Sequence, residues 1–143
     1  MIVATLTAAS LALIGGFLSA PVLVDEHLNR IHAQSGKAPS AATVALHQSL
    51  WIADLHADSL LWQRNLNRDS QRGHVDFPRL QRANVALQAF SVVTKTPRKM
   101  NIERNGSDTD NITALVMAQG LPPATWNSLL ARATYQADEL RQQ

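Results

Sequence analysis

Three polar residues at alternating positions, Asp54, His56 and Asp58, close the apolar run Trp51-Ile52-Ala53-Asp54-Leu55-His56-Ala57. On a strand, alternate side chains share a face, so these three point one way and Leu55 and Ala57 point the other. An imidazole and a carboxylate two residues apart on one face are suited to a single divalent metal, which makes His56 and Asp58 the candidate ligands. Asp54, one step deeper, is placed to hydrogen-bond to His56 and fix its ring, as groups behind a metal ligand do. The competing reading is a strand end whose His and Asp bond only to backbone or solvent.

A second His-x-Asp, His74-Val75-Asp76, leads into Phe77-Pro78-Arg79-Leu80. Asp at an N-cap with Pro in the first turn is a helix start, so this pair reads as structural, with His74 bracing the turn. His27, His32 and His47 share no ligand spacing and read as solvated or interfacial.

The elements that must position the pair follow from patterning. The first strand ends at the His-x-Asp. Leu60-Leu61-Trp62 then leaves as a short helix or turn, with Trp62 either in core packing or lining a cleft beside the pair. A polar loop spans 65–72. Residues 85–94 form a second, mostly buried strand carried by Val85, Leu87, Ala89, Val92 and Val93. A helix runs from Thr109 or Asp110 to Ala118 and is ended by Gly120. After Pro122-Pro123, Thr125 caps a last helix reaching about Leu140, with Trp126, Leu129, Leu130, Ala133 and Ala137 on one broad face.

In order and spacing, three blocks resemble the membrane dipeptidase (renal dipeptidase) family of zinc peptidases. They are Asp54-Leu55-His56-Ala57-Asp58, then Gly73-His74-Val75-Asp76-Phe77-Pro78-Arg79-Leu80, then Asn84-Val85-Ala86-Leu87-Gln88-Ala89-Phe90-Ser91-Val92-Val93-Thr94. The segment Ser107-Asp108-Thr109-Asp110-Asn111-Ile112-Thr113, with Pro122-Pro123-Ala124-Thr125-Trp126, is similar to the bacterial branch. The resemblance implies an α/β fold, namely the N-terminal portion of a (β/α)8 TIM-type barrel. It also implies a centre of two Zn2+ ions in which His56 and Asp58 bind one metal, and a dipeptide substrate hydrolysed by metal-activated water. The bridging Glu and two later His of the family have no counterpart here, because Glu103 and Glu139 sit outside any motif. A complete barrel takes roughly 250 residues, against 143 in this chain. The expectation is therefore a partial barrel, weakly zinc-binding and inactive alone, with homodimerisation left open. A compact autonomous domain is the competing explanation. A membrane-anchored interaction protein, or a metal-dependent amidohydrolase of another substrate, are the rival functions.

Ile2 through Val24 contains no charged residue, which is long enough for a spanning helix of about 20 residues. No Lys or Arg precedes Arg30, and Leu18-Ser19-Ala20 makes a poor cleavage site, so an uncleaved anchor is favoured over a signal peptide. The expected organisation is an anchor over 1–24, a stalk over 25–49 and the partial barrel over 50–143. In the stalk, Gln34-Ser35-Gly36-Lys37-Ala38-Pro39 reads as loop, and Ser40 caps a short helix to about His47. The barrel portion is expected in the periplasm or otherwise outside the cytoplasm. Thirteen Lys and Arg against eleven Asp and Glu, net +2, are too balanced for a nucleic-acid partner, and the absence of Cys excludes a thiolate site.

Overall fold

The computed structural model describes residues 2–32 and 36–143. Two short strands run parallel, β1 (Ile52–Ala57) and β2 (Val85–Phe90), with Ile52 opposite Val85, Asp54 opposite Gln88 and Ala57 opposite Phe90. Around them lie α1 (Ile2–Leu28), α2 (Ala41–Ser49), α3 (Phe77–Arg82), α4 (Ile112–Ala118) and α5 (Leu129–Arg141). Single 3-10 turns occupy Ser59–Trp62 and Pro123–Thr125.

The helix starts follow local chemistry. Ser40 Oγ accepts from the Thr43 N–H at 3.2 Å and opens α2. Buried Asp76 accepts from the Arg79 N–H at 2.9 Å and opens α3 with Pro78 in its first turn. The Arg79 guanidinium returns to the Asp76 carboxylate and to the carbonyls of Gly73 and Ser70, which ties the turn shut. His74, expected to brace this turn, stands exposed, and Asp76 and Arg79 brace it instead. Asn84, in the left-handed conformation at φ 53, donates from Nδ2 to the carbonyls of Gln48 and Leu50 at 3.1 and 3.0 Å. That residue pins the end of α2 to the start of β2 and so levels the two strands. The loop reading for Gln34 and Ser35 lies outside the described residues.

The expected TIM-barrel portion is overturned: the described residues form a small α/β unit of five helices on a two-stranded parallel sheet. A barrel needs each strand flanked on both edges by further strands. Here the segment after β2 turns to α4 and α5 and builds its own core. Ile112, Val116 and Leu121 are buried there, with Leu61, Val93, Leu115, Trp126 and Tyr135 packed against them. The expected 85–94 strand stops at Phe90. Beyond it, the side-chain amide of Gln136 takes the place of a neighbouring strand: Oε1 accepts from the Val93 N–H at 3.0 Å, and Nε2 donates to its carbonyl at 2.9 Å. One sheet face is also more open than expected, with Leu55 at 75% and Leu87 at 53% exposure. On β2, α3 packs, and Phe77 meets Phe90 edge to face at 6.0 Å. The last helix starts at Leu129, capped by Ser128 accepting from the Ala131 N–H at 3.1 Å, and Thr125 lies in the preceding 3-10 turn.

Arg132, 1% exposed, holds this second half together. Its Nε donates to the Thr125 carbonyl at 2.6 Å. Its Nη1 donates to the Thr94 carbonyl at 2.7 Å and to Asp110 Oδ2 at 2.6 Å, and Nη2 to Thr113 Oγ1 at 2.8 Å and the Trp126 carbonyl. Burial pushes the Asp110 carboxyl up. Arg132, the N–H groups of Ile112 and Thr96 and the Thr113 hydroxyl outweigh that and hold its pKa at about 2.

Removing either partner strands a buried charge, so Arg132→Ala costs about 3–5 kcal/mol in denaturant titration. Because Asp110 is depressed in the fold, its stabilisation is complete above the ordinary carboxylate range and is lost as pH falls through about 2. An Asp110→Asn variant is less stable at neutral pH, and the corresponding part of the stability lost between pH about 4 and about 2 is missing from its pH profile.

Candidate metal centre

β1 delivers His56 and Asp58 to the end of the sheet, where the chain turns into the Ser59–Trp62 3-10 helix. The parallel register sets Ala57 beside Phe90, so the next residue of each strand meets across the end of the ladder. There the Ser91 N–H donates to the Ala57 carbonyl at 3.0 Å, and Ser91 Oγ donates to Asp58 Oδ1 at 2.6 Å. His56 Nε2 lies 3.3 Å from the same oxygen. The side chains are open to solvent, 73% exposed for His56 and 51% for Asp58.

Asp54 behaves differently from the expectation. Its Oδ1 accepts from the backbone N–H of His56 at 3.2 Å, so it stiffens the main chain under the imidazole instead of holding the ring. That N–H first, and then the Gln88 side chain, hold the Asp54 carboxyl below its ordinary range; burial opposes them, and the nearby imidazole adds a lesser push downward. Opposite Asp54, Gln88 Nε2 donates to the Ala89 carbonyl at 3.1 Å and to the Asp54 carbonyl at 3.4 Å, while its Oε1 is buried without a partner.

The donor set can be tested against zinc. Ligand bonds of about 2.0–2.1 Å in a tetrahedron put two ligand atoms about 3.3 Å apart, and the observed separation of Nε2 and Oδ1 is 3.3 Å. The pair therefore fits two corners of such a site. A catalytic zinc takes three protein ligands, and among the described residues no group of three His, Asp or Glu is gathered to hold one. Glu103 lies in the exposed loop ahead of α4, and Glu139 lies on α5. His47 is occupied elsewhere, its Nε2 at 2.8 Å from the Ala83 carbonyl. His74 and Asp76, the second His-x-Asp, are separated in role: Asp76 is buried in the α3 cap and His74 faces solvent.

Sequence reasoning missed Ser91. Its signal is available only once the two strands are paired in parallel with Ala57 opposite Phe90, because nothing in the local run around Ser91 marks it as a partner of Asp58.

Comparison with protein-family models, curated proteins and solved structures finds no match to this chain.

The arrangement makes Ser91 a positioning residue for Asp58. Ser91→Ala is expected to weaken zinc binding about tenfold, in the range set by groups that orient metal ligands, while leaving the unfolding midpoint nearly unchanged. Isothermal titration with Zn2+ beside a thermal melt checks both. Unaltered affinity would remove Ser91 from the centre.

Proposed function

We propose that this chain is a membrane-anchored contributor to a zinc-dependent dipeptide-hydrolysing centre, with His56 and Asp58 as its metal ligands. The observation that carries the reading is the 3.3 Å approach of His56 Nε2 to an Asp58 oxygen that Ser91 already holds in place. The three motif blocks that resemble the membrane dipeptidase family support the choice of substrate class. His56 offers an imidazole nitrogen at the sheet end, Asp58 offers a carboxylate oxygen, and Asp54 and Ser91 limit how far either can swing. A divalent metal held there would lower the pKa of its bound water toward about 7 and polarise a peptide carbonyl. A catalytic centre of this kind would need a third protein ligand beside these two.

The anchor is α1. It is long and apolar enough to cross a membrane or to act as a signal sequence. From Val3 to Ser19 every residue is exposed, and the helix is apolar around its whole circumference, the pattern of a helix that lies in lipid. Its exposed stretch of 17 residues from Val3 to Ser19 rises about 26 Å, most of the roughly 30 Å of a hydrocarbon core. The family resemblance favours the extracytoplasmic side for residues 50–143.

A second reading, a non-catalytic interaction module on the same anchor, is favoured by the open sheet face at Leu55 and Leu87.

Cobalt(II) substitution of the full chain separates the readings. A visible-region band lost in His56→Ala and in Asp58→Ala, but kept in His74→Ala, supports the metal centre. The isolated chain, short of a third ligand, is expected to bind zinc weakly and to turn over no dipeptide. Loss of the band in His74→Ala alone would reverse the ligand assignment, and no band in any form would leave the interaction module as the better reading. Flotation with lipid vesicles checks the anchor: intact chain recovered in the aqueous fraction would count against it.

A further inference from the structure

Where α1 leaves its exposed stretch, it settles on the body. Pro21 and Asp25 are buried, the Gly73 N–H donates to the Asn29 carbonyl at 2.7 Å, and Arg30 and Arg72 form an isolated antiparallel bridge. Between the helix and the body lies a cavity of about 280 Å³, with Leu18, Val22, Asp25, Trp62, Arg72 and Gln119 among its walls. It is lined by apolar side chains of α1 toward the membrane portion and by charge at the point where the apolar stretch ends.

Arg72 is under-satisfied there. Its side chain is one-third exposed, and its nearest polar contacts are the Val22 carbonyl at 3.5 Å, Asp25 Oδ2 at 3.7 Å and Glu26 Oε1 at 3.8 Å. Well-made N–H···O bonds lie at 2.7–3.2 Å, and a guanidinium has five donors in a planar fork that matches a phosphate. In the same wall, Gln119 spends its Nε2 on the Leu61 carbonyl at 2.9 Å and leaves its Oε1 buried and unpaired. Asp25 is engaged by Asn29 Nδ2 at 2.7 Å, and the Glu26 side chain is about half exposed.

A bare anion on Arg72 would sit against two carboxylates. A zwitterion resolves this: its phosphate meets the guanidinium and its ammonium meets Glu26 and Asp25. A primary ammonium can donate hydrogen bonds to those carboxylates, which a trimethylated one cannot. Apolar walls running down α1 from the charged end suit the start of an acyl chain, and an indole such as that of Trp62 is the side chain expected at headgroup level. We propose that this cavity is a binding site for a phosphoethanolamine headgroup, its phosphate on Arg72 in the wall and its ammonium on Glu26, which stands outside the wall 3.8 Å from Arg72 Nη1, and that the ligand is a membrane phospholipid. The site is separate from His56 and Asp58 and rests on the reading of α1 as an anchor.

The test uses the full chain in nanodiscs made from equal parts phosphatidylethanolamine and phosphatidylglycerol, released into native mass spectrometry to count retained lipid. One retained phosphatidylethanolamine is expected. It falls roughly tenfold or more in Arg72→Gln, the scale of a charge-assisted hydrogen bond, and the preference over phosphatidylglycerol disappears in Glu26→Gln. His56→Ala leaves retention unchanged. Equal retention of both lipids by the parent chain, or retention indifferent to Arg72→Gln, would overturn the site. Titration with inorganic phosphate and with glycerophosphoethanolamine separates the sources: inorganic phosphate that displaces the lipid in an Arg72-dependent way overturns the phospholipid as ligand. Vesicle flotation of parent and Arg72→Gln accompanies each arm. Failure of the parent chain to float sinks the anchor and this site together, whereas floating without selective retention sinks the headgroup site alone.

Discussion

The buried guanidinium of Arg132 is the interaction on which the second half of this protein depends. It joins three separate stretches: it donates to the carbonyl of Thr94 in one and to those of Thr125 and Trp126 in another, and it meets the Asp110 carboxylate and the Thr113 hydroxyl in the third. Those stretches are the exit from β2, the entry to α4 and the turn before α5. An unpaired buried carbonyl is costly, and one side chain satisfies several of them at once. The apolar cluster of Ile112, Val116 and Leu121 supplies the burial, but it does not by itself decide how the three stretches approach one another. Directional bonds from Arg132 do.

Gln136, one helical turn later on the same side of α5, extends the principle to the sheet. A two-stranded parallel pair is a poor structure alone, since parallel strands expect neighbours and cover. The amide of Gln136 closes both backbone groups of Val93, where another strand would otherwise be required. The chain beyond Phe90 is thus held extended by a helix. That in turn fixes Ser91 between β2 and this tether, and Ser91 is the residue that touches Asp58. The candidate metal centre and the Arg132 core are linked through a few residues of extended backbone.

Local chemistry was legible in the sequence and long-range chemistry was not. The caps at Ser40 and Asp76 were readable because a cap is an interaction over three residues. The two strand starts and the apolar N-terminal helix were readable from runs of side-chain type. The end of β2 was not, because it depends on Gln136, forty-three positions away from Val93. The start of α5 was placed too early, since Thr125 and Ser128 are both credible caps and only the turn after Pro122-Pro123 chooses between them. The barrel expectation failed for a related reason: motifs at strand ends report that a strand exists, not how many others flank it. In the candidate centre, strand spacing and the family resemblance point to His56 and Asp58, which do approach each other, whereas Asp54 bonds the main chain and not the ring.

The exposure of the His56–Asp58 pair bears on what it is for. A pair this open contributes little to folding, because water competes for both groups and two side chains must be held still to form it. Stability therefore gives no reason for Ser91 to hold Asp58 at 2.6 Å or for Asp54 to tie the backbone beneath His56. Both bonds restrict motion at a place where restriction does nothing for the core. A site that must present two donors at a set separation benefits from that restriction, since less ordering is left to be done when a ligand arrives. The same contrast separates this pair from the other His-x-Asp. There the carboxylate is buried, capped and ion-paired, and its neighbour His74 is left without a task. In one motif the polar bonds serve the fold. In the other they join exposed groups at the end of the sheet.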